Sequence, residues 1–376
     1  MRERAREDDP ENSDLENGDA RTCRPGSARY VPVPGRGGGA AVIVRGMTTR
    51  LHIALAATLL VGPGALPNGD PPPPGKLVDI GGQRIHLDCT GRGSPTVLLE
   101  SGLGDFSPIW TFVQGPVSAV TRVCSYDRGG YAWSDPGARP RSFAQLGLEL
   151  RTALSRAGER GPFVLVGQSY GGLVVRGFAA RYRPEVVGVV LVDAVHEDEH
   201  VVYGGQPHRI RDDAKGRTAP PPHVALDTAA LHATPVANIP ADAPLDPPLD
   251  RLPPAAQAVF RWGLSRPALG AAWAAETDWS PEELARFHAE RLSNRATLGD
   301  LPLVVLARTH GGYASGMRLS ADSLERERLA LQHDLAALSR RGRLVIAPRA
   351  GHNIHVEEPT LVVDAIGEVV RAARGA

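Results

Sequence analysis

From Lys76 onward, short runs rich in Val, Ile and Leu alternate with stretches whose apolar residues recur every three to four positions. Few architectures satisfy that alternation. The short runs suit strands buried on both faces, and the amphipathic stretches suit helices that cover those faces. Runs at 77–80, 84–89, 96–100, 122–126, 163–167, 186–192, 302–307 and 343–347 predict eight strands. Phe143, Leu146, Leu150 and Leu154 share one helical face, as do Leu361, Val362, Ala365, Ile366, Val369 and Val370. Only Gly81-Gly82 separates the first two runs, a hairpin signal, so the sheet starts antiparallel and continues parallel. The expected fold class is α/β, an eight-stranded mostly parallel sheet with helices on both faces, its core drawn from 76–195 and 302–376.

The alternation breaks over 196–301, which opens Pro-rich and ends in two helical patterns, 255–275 and 281–296. So long a stretch exceeds any ordinary loop and predicts an inserted helical cap. Phe260, Trp262, Trp273 and Phe287 are its candidates for lining an acyl pocket.

Before Lys76 the chain changes character. Residues 1–46 are acidic at the start and Gly/Arg-rich at the end, with too few large apolar side chains to offset ordering entropy, and predict a disordered tail or gene-model extension. Residues 47–66 carry a basic start, an apolar run and small residues in the order of a secretory signal peptide, with Met47 as the expected start. A secreted or extracytoplasmic location follows as the expectation, with a cytoplasmic one as the alternative. Residues 67–75, with Pro71 to Pro74, predict a stiff polyproline linker. Lys plus Arg and Asp plus Glu both number 42, so the basic excess of a nucleic-acid binder is missing. No apolar run approaches a membrane span of about 18 residues. No Cys/His spacing suits zinc, and no cofactor is expected. Cys89 and Cys124 sit in strand-like runs, and their reading stays open between a disulfide and two buried thiols.

Gly167-Gln168-Ser169-Tyr170-Gly171-Gly172 follows one predicted strand and precedes a helical stretch, the context that a nucleophile elbow needs. A turn that sharp leaves no room for Cβ atoms at its glycines, and it lifts the Ser169 hydroxyl clear of the sheet. A serine needs a base to take its proton. His352, after the last predicted strand, is the candidate, with His355 behind it. The oxyanion formed on attack needs N–H donors. The backbone of Tyr170, at the helix start, and of Leu103, in Glu100-Ser101-Gly102-Leu103-Gly104, are the candidates.

Residues 76–374 resemble the α/β-hydrolase fold superfamily, in its esterase-like branch. The resemblance is carried by Thr96 to Gly104, by Asp127-Arg128-Gly129-Gly130 and its flanks, by the Ser169 elbow, by Val189 to Asp193 and by Gly351-His352. It implies a serine hydrolase that cleaves a carboxylic ester of a small molecule through an acyl-enzyme on Ser169. An aminopeptidase-like amidase, a lactonase or a perhydrolase would use the same residues, and a non-catalytic ligand receptor shares the fold. Relatives that open epoxides or remove halide place Asp at the elbow. The resemblance also sets the second and fourth strands side by side, which favours a Cys89–Cys124 bridge, and makes Asp127 and Arg128 structural braces. Many relatives have His where this chain has Gln168 and Ser101, departures that bear on substrate preference.

The third member of the triad commonly follows the seventh strand, but there the chain offers no carboxylate until Asp322. Asp193 ends the sixth strand on the edge that carries Ser169 and is the expected acid. Asp322, Asp198 and Asp300 are the alternatives.

Overall fold

The computed structural model describes residues 70–203, 206–218, 239–240, 242–309, 311 and 319–375. The expected tail 1–46, the expected leader 47–66 and most of the loop after the seventh predicted strand lie outside them. Among the described residues ten strands are present: β1 (Lys76–Asp79), β2 (Arg84–Thr90), β3 (Thr96–Glu100), β4 (Val123–Tyr126), β5 (Phe163–Gln168), β6 (Val186–Val192), β7 (His200–Tyr203), β8 (Gln206–Arg209), β9 (Leu303–Arg308) and β10 (Gly342–Ala347). The described α-helices are α1 (Thr111–Ser118), α2 (Phe143–Ala157), α3 (Gly171–Arg181), α4 (Pro254–Leu264), α5 (Pro267–Ser293), α6 (Ala321–Ala336), α7 (Ile354–Glu357) and α8 (Pro359–Ala373).

Eight strands form one sheet in the order β1-β2-β4-β3-β5-β6-β9-β10. The β1–β2 and β2–β4 pairs are antiparallel and every later pair is parallel, as the Gly81-Gly82 signal and the alternation require. Because side chains alternate along a strand, each central strand feeds both faces. Val97, Leu99, Val164, Val166, Val190 and Val192 point to the side covered by α1 and α8. Leu98, Leu165, Val189, Leu191 and Val305 point to the side covered by α2, α3 and α6. α2 shows why the helices start and stop where they do. Ser142 accepts the Gln145 N–H at the N-terminus, and Gly158, in the left-handed region, ends the helix.

Cys89 and Cys124 stand opposite each other in the antiparallel β2–β4 register and are joined by a disulfide. The hairpin β7–β8 was not expected from the sequence, because each strand is only four residues long and β8, Gln-Pro-His-Arg, is polar and half-exposed. The helical boundaries in the long connection between β6 and β9 also differ from expectation. The break falls at Ser265-Arg266, since Pro267 opens α5 at its first turn and disfavours helical backbone in the residue before it. α5 then runs unbroken through Pro281, and the Ser280 hydroxyl donates to the Glu276 carbonyl beside that missing N–H.

The end of the proline-rich linker is docked as a strap. Asp70 accepts the Trp262 indole N–H at 2.8 Å and pairs with Arg266, Pro71 O accepts the Trp133 indole N–H at 2.7 Å, and Pro74 O meets His86 Nε2. A groove of about 470 Å³ runs beside it, lined among others by Pro72, Pro74, Ser107, Trp133 and Val259. Ser169, Asp193 and His352 do not line that groove.

Candidate active site

The expected elbow is present. β5 turns into α3 at Ser169, which is held at φ +52°, a region that disfavours side chains and marks stored strain. Glycines flank it of necessity: a Cβ on Gly167 would lie 2.5 Å from the Gly171 carbonyl oxygen, and one on Gly171 would lie 2.6 Å from that of Glu100. The elbow is pinned to the end of β6, because Ser169 N–H donates to Val192 O and Ser169 O accepts from Val195 N–H, both at 3.1 Å. Between those two anchors sits Asp193, itself at φ +42°.

Asp193 Oδ2 lies 2.7 Å from His352 Nδ1. The carboxylate is 1% exposed and the imidazole 42% exposed, so the ring spans from the protein interior to the reachable surface. Two arginines close on the same carboxylate. Arg308 Nη1 lies 2.5 Å from Oδ2 and its backbone N–H donates to Oδ1 at 3.1 Å, while Arg328 Nη1 reaches Oδ1 at 2.7 Å. Burial opposes the charge on Asp193, but the hydrogen bond from His352 and the charges of Arg308 and Arg328 outweigh it and hold the carboxyl well below the usual range. Arg308 Nη1 also stands 3.3 Å from His352 Nδ1. On the other side of the ring, Gln168 Nε2 lies 3.3 Å from His352 Nε2 and 3.4 Å from its carbonyl oxygen. With Nδ1 facing a carboxylate and Nε2 facing an amide N–H, the ring is held with its proton on Nδ1, the tautomer that leaves Nε2 able to accept one.

The loop after β3 is fixed by Arg128, which is buried. Its guanidinium donates to Ser101 O at 2.7 Å, Gly102 O at 2.8 Å, Glu100 Oε1 at 2.6 Å and Glu276 Oε1 on α5 at 2.9 Å. Because a peptide unit is planar and trans, tying the Gly102 carbonyl to Arg128 turns the Leu103 N–H the opposite way. Neither the Leu103 nor the Tyr170 N–H makes a hydrogen bond with the described residues. Gly102 touches the elbow: a Cβ there would lie 3.3 Å from Ser169 Cβ. Ser101 accepts the Trp110 indole N–H at 3.0 Å. Asp127 braces from below, accepting Ser107 N–H and facing His86 Nδ1, each at 2.7 Å.

The other candidates lie elsewhere. His355 is buried against Trp110, and burial pushes its imidazole down to about 3. Asp322 is exposed in the first turn of α6, Asp198 is engaged by Arg291, Arg211 and His288, and Asp300 is exposed with Arg340. Among the four aromatic candidates, Phe260 packs on Phe106, Phe287 on Phe143, and Trp262 on Trp133 and the strap. Trp273 lies 4.0 Å from the Cβ position of Gly104. Among the described residues one grouping has metal-ligand spacing, Cys89, Cys124 and Glu159, but its sulfurs are bonded to each other and its carboxylate to Arg122. Sequence reasoning missed Arg308 and Arg328 and underrated Arg128. The one local signal was a charged residue ending each of two buried neighbouring strands, β6 and β9.

A model of the Alpha/beta hydrolase family matches residues 96–365. The chain is 33% identical over 129 residues to a probable transporter, efuK, of Hormonema carpetanum, a match that covers 32% of this chain and 18% of that protein. It is 23% identical over 316 residues to the uncharacterized protein YqjL of Bacillus subtilis, covering 79% of this chain and 92% of YqjL. Among solved structures, a thermophilic esterase from Thermogutta terrifontis superposes with a TM-score of 0.52 at 19% identity, over 77% of this chain and 94% of the esterase.

Proposed function

This chain belongs to the alpha/beta hydrolase family, and from that premise we propose that it is a serine hydrolase that cleaves a carboxylic ester of a small molecule through an acyl-enzyme on Ser169. The observation that carries the reading is the bond from His352 Nδ1 to the buried Asp193, with the strained Ser169 pinned to the same strand end.

In this mechanism Ser169 Oγ attacks the carbonyl carbon while His352 Nε2 takes its proton, and Gln168 gives way to the incoming hydroxyl. Asp193 fixes the tautomer and stabilises the imidazolium without accepting its proton. The negative charge moves to the carbonyl oxygen, which the Leu103 and Tyr170 N–H groups receive, the latter aided by the N-terminus of α3. Collapse of the adduct breaks the ester C–O bond, and His352 returns the proton to the leaving alcohol. Water, deprotonated by His352, then releases the acid and restores Ser169. In this reading α4 and α5 serve as the cap, with Phe260 on Phe106 and Trp273 4.0 Å from the Cβ position of Gly104.

We infer an extracytoplasmic location. It is supported by the leader-like residues 47–66 and by the Cys89–Cys124 disulfide, which suits an oxidising compartment. The secreted chain should then begin between about Gly62 and Pro71. Labelling with a fluorophosphonate, peptide mapping of the adduct and turnover of a p-nitrophenyl ester series test the function. Ser169 should carry the label, and Ser169→Ala should lose label and turnover while keeping its melting temperature. A Ser169→Ala protein with wild-type turnover would overturn the reading, and turnover of amides or lactones in preference to esters would move it to the alternatives that share these residues.

A further inference from the structure

Both oxyanion donors of the proposed mechanism are tied, by separate routes, to one buried residue of α5. The first route runs through the loop after β3. Its Gly102 carbonyl oxygen accepts the Asp105 N–H at 3.3 Å, closing a tight turn over which the Asp105 side chain folds back, and accepts Arg128 Nη2 at 2.8 Å. Arg128 Nη1 holds the Ser101 carbonyl at 2.7 Å. The third nitrogen of the guanidinium, Nε, donates to Glu276 Oε1 at 2.9 Å. The second route runs through Tyr170, whose hydroxyl donates to the Glu276 carbonyl oxygen at 3.4 Å and whose ring lies 5.6 Å from the Arg128 guanidinium carbon.

Glu276 is itself fixed. It is 0% exposed, its Oε2 accepts the Tyr131 hydroxyl at 2.7 Å, and its Oε1 stands 3.5 Å from Arg141 Nε. The backbone of α5 sits equally close to the core. A Cβ on Gly130, two residues after Arg128, would lie 2.7 Å from Ala272 Cβ, and the Arg141 N–H donates to the Ala275 carbonyl at 3.4 Å. Charge balance alone does not call for this arrangement, because Glu100 already pairs with Arg128 Nη1 at 2.6 Å. A second carboxylate on a different nitrogen adds direction. A planar group held at all three nitrogens can neither tilt nor slide, and the carbonyls that it holds keep their angle.

We propose that Glu276 is a positioning residue of the oxyanion hole, orienting Arg128 with its side chain and Tyr170 with its main chain, so that α5 is a fixed wall of the site and not a lid. The inference rests on the Ser169 reading above. Lifting α5 would break both ties at once, so the helix stays seated through the catalytic cycle.

The test compares the wild type, Glu276→Gln, Arg128→Lys and the double variant, with active sites counted by fluorophosphonate titration run to completion so that misfolded protein is excluded. Single-turnover acylation by a p-nitrophenyl ester should slow about tenfold or more in Glu276→Gln, with KM kept within about threefold. A matched pair of inhibitors separates positioning from folding. A trifluoromethyl ketone is attacked by Ser169 Oγ, whose proton passes to His352 Nε2 while the negative charge moves to the ketone oxygen, whereas the corresponding secondary alcohol forms no adduct. Affinity for the ketone should fall by the factor that acylation loses, and affinity for the alcohol should hold. Because Glu276 acts on the loop through one guanidinium, the double variant should be little slower than Arg128→Lys. Wild-type acylation in Glu276→Gln, equal loss for both inhibitors, or losses that multiply in the double variant would each overturn the proposal. Should Glu276→Gln fail to fold, Tyr131→Phe removes only the donor to Oε2 and should slow acylation several-fold with a lower ratio of ketone to alcohol affinity. An unchanged ratio there overturns the proposal. Absence of fluorophosphonate labelling in the wild type would instead remove the Ser169 reading, and this inference with it.

Discussion

The two flanks of Ser169 are built on opposite principles. On the acid flank, each Asp193 oxygen has its donors: His352, Arg308 twice and Arg328. On the oxyanion flank, the Leu103 and Tyr170 N–H groups make no hydrogen bond with the described residues. The first flank is complete within the chain and holds geometry. The second is complete only when something else is bound. The carboxyl groups register the difference, since the surroundings pull Asp193 below the usual range and push Asp105 up to about 6. An ionisable group drawn out of water costs stability unless it is paired, so the clamped Asp193 stabilises the fold at neutral pH whereas the half-buried Asp105 costs it.

The largest expected effect strikes the complete flank. Asp193→Asn should lower kcat by about a thousandfold to ten-thousandfold with little change in KM, because the acid acts mainly in the transition state. It should also lower the melting temperature, since two arginines lose their counter-charge. With its folded pKa depressed, Asp193 contributes stability that is fully present above the unfolded carboxylate range and is lost as pH falls below about 4. Urea titrations from pH 7 to 3 should therefore show a shallower acid loss in the variant than in the wild type. A near-normal Asp193→Asn enzyme would sink the assignment.

Next comes the scaffold of the open flank. Arg128→Lys keeps the buried charge but loses the fork that holds Ser101 and Gly102. Single-turnover acylation should slow by about ten- to a hundredfold, as expected when one oxyanion donor drifts from place. Unchanged acylation would show that the Leu103 N–H is not set by Arg128.

A smaller effect, of opposite sign in stability, should come from Asp105→Asn. With its folded pKa raised, Asp105 binds its proton more tightly in the native state than in the unfolded chain. Stability therefore falls as pH rises between about 4 and 6, and the variant escapes that loss. Its melting temperature should exceed that of the wild type by about 2–4 °C at pH 8 and match it at pH 4. A variant less stable at pH 8 would place Asp105 on the structural side of the comparison. The smallest effect belongs to Asp322→Asn, an exposed site outside both flanks, where activity and stability should stay within about 0.5 kcal/mol of wild type.

What the sequence disclosed follows the same division. The eight sheet strands were legible because burial on both faces demands the continuous apolar runs that β3, β5, β6 and β9 carry. Ser169, His352 and Asp193 were legible as candidates because each follows or ends a strand that could be placed in order. The clamp on Asp193 was not, since Arg308 and Arg328 lie 115 and 135 residues away in the chain and look like any other arginine. The end of β9 supplies the counter-ion of the expected acid, Asp193. Asp105 resembled one more polar residue in a glycine-rich turn, and only the folded-back side chain sets it beside Ser169. The hairpin β7–β8 and the unbroken α5 were missed because a four-residue strand paired with the Pro-containing β8 and a helix crossing a proline both run against local propensity.

The docked strap also decides how the molecule carries force. A pull on the chain upstream of Asp70 is met first by the Trp262 and Trp133 indoles and by Arg266. Trp133 belongs to the turn after β4, whereas Trp262 and Arg266 belong to the end of α4 and the start of α5. Tension is thus divided between the sheet and its helical cover, and β1 comes under load only after those bonds release. A bead, a resin or a fusion partner attached through this end would grip the molecule at the seam between the two, beside a groove that Ser169 does not line.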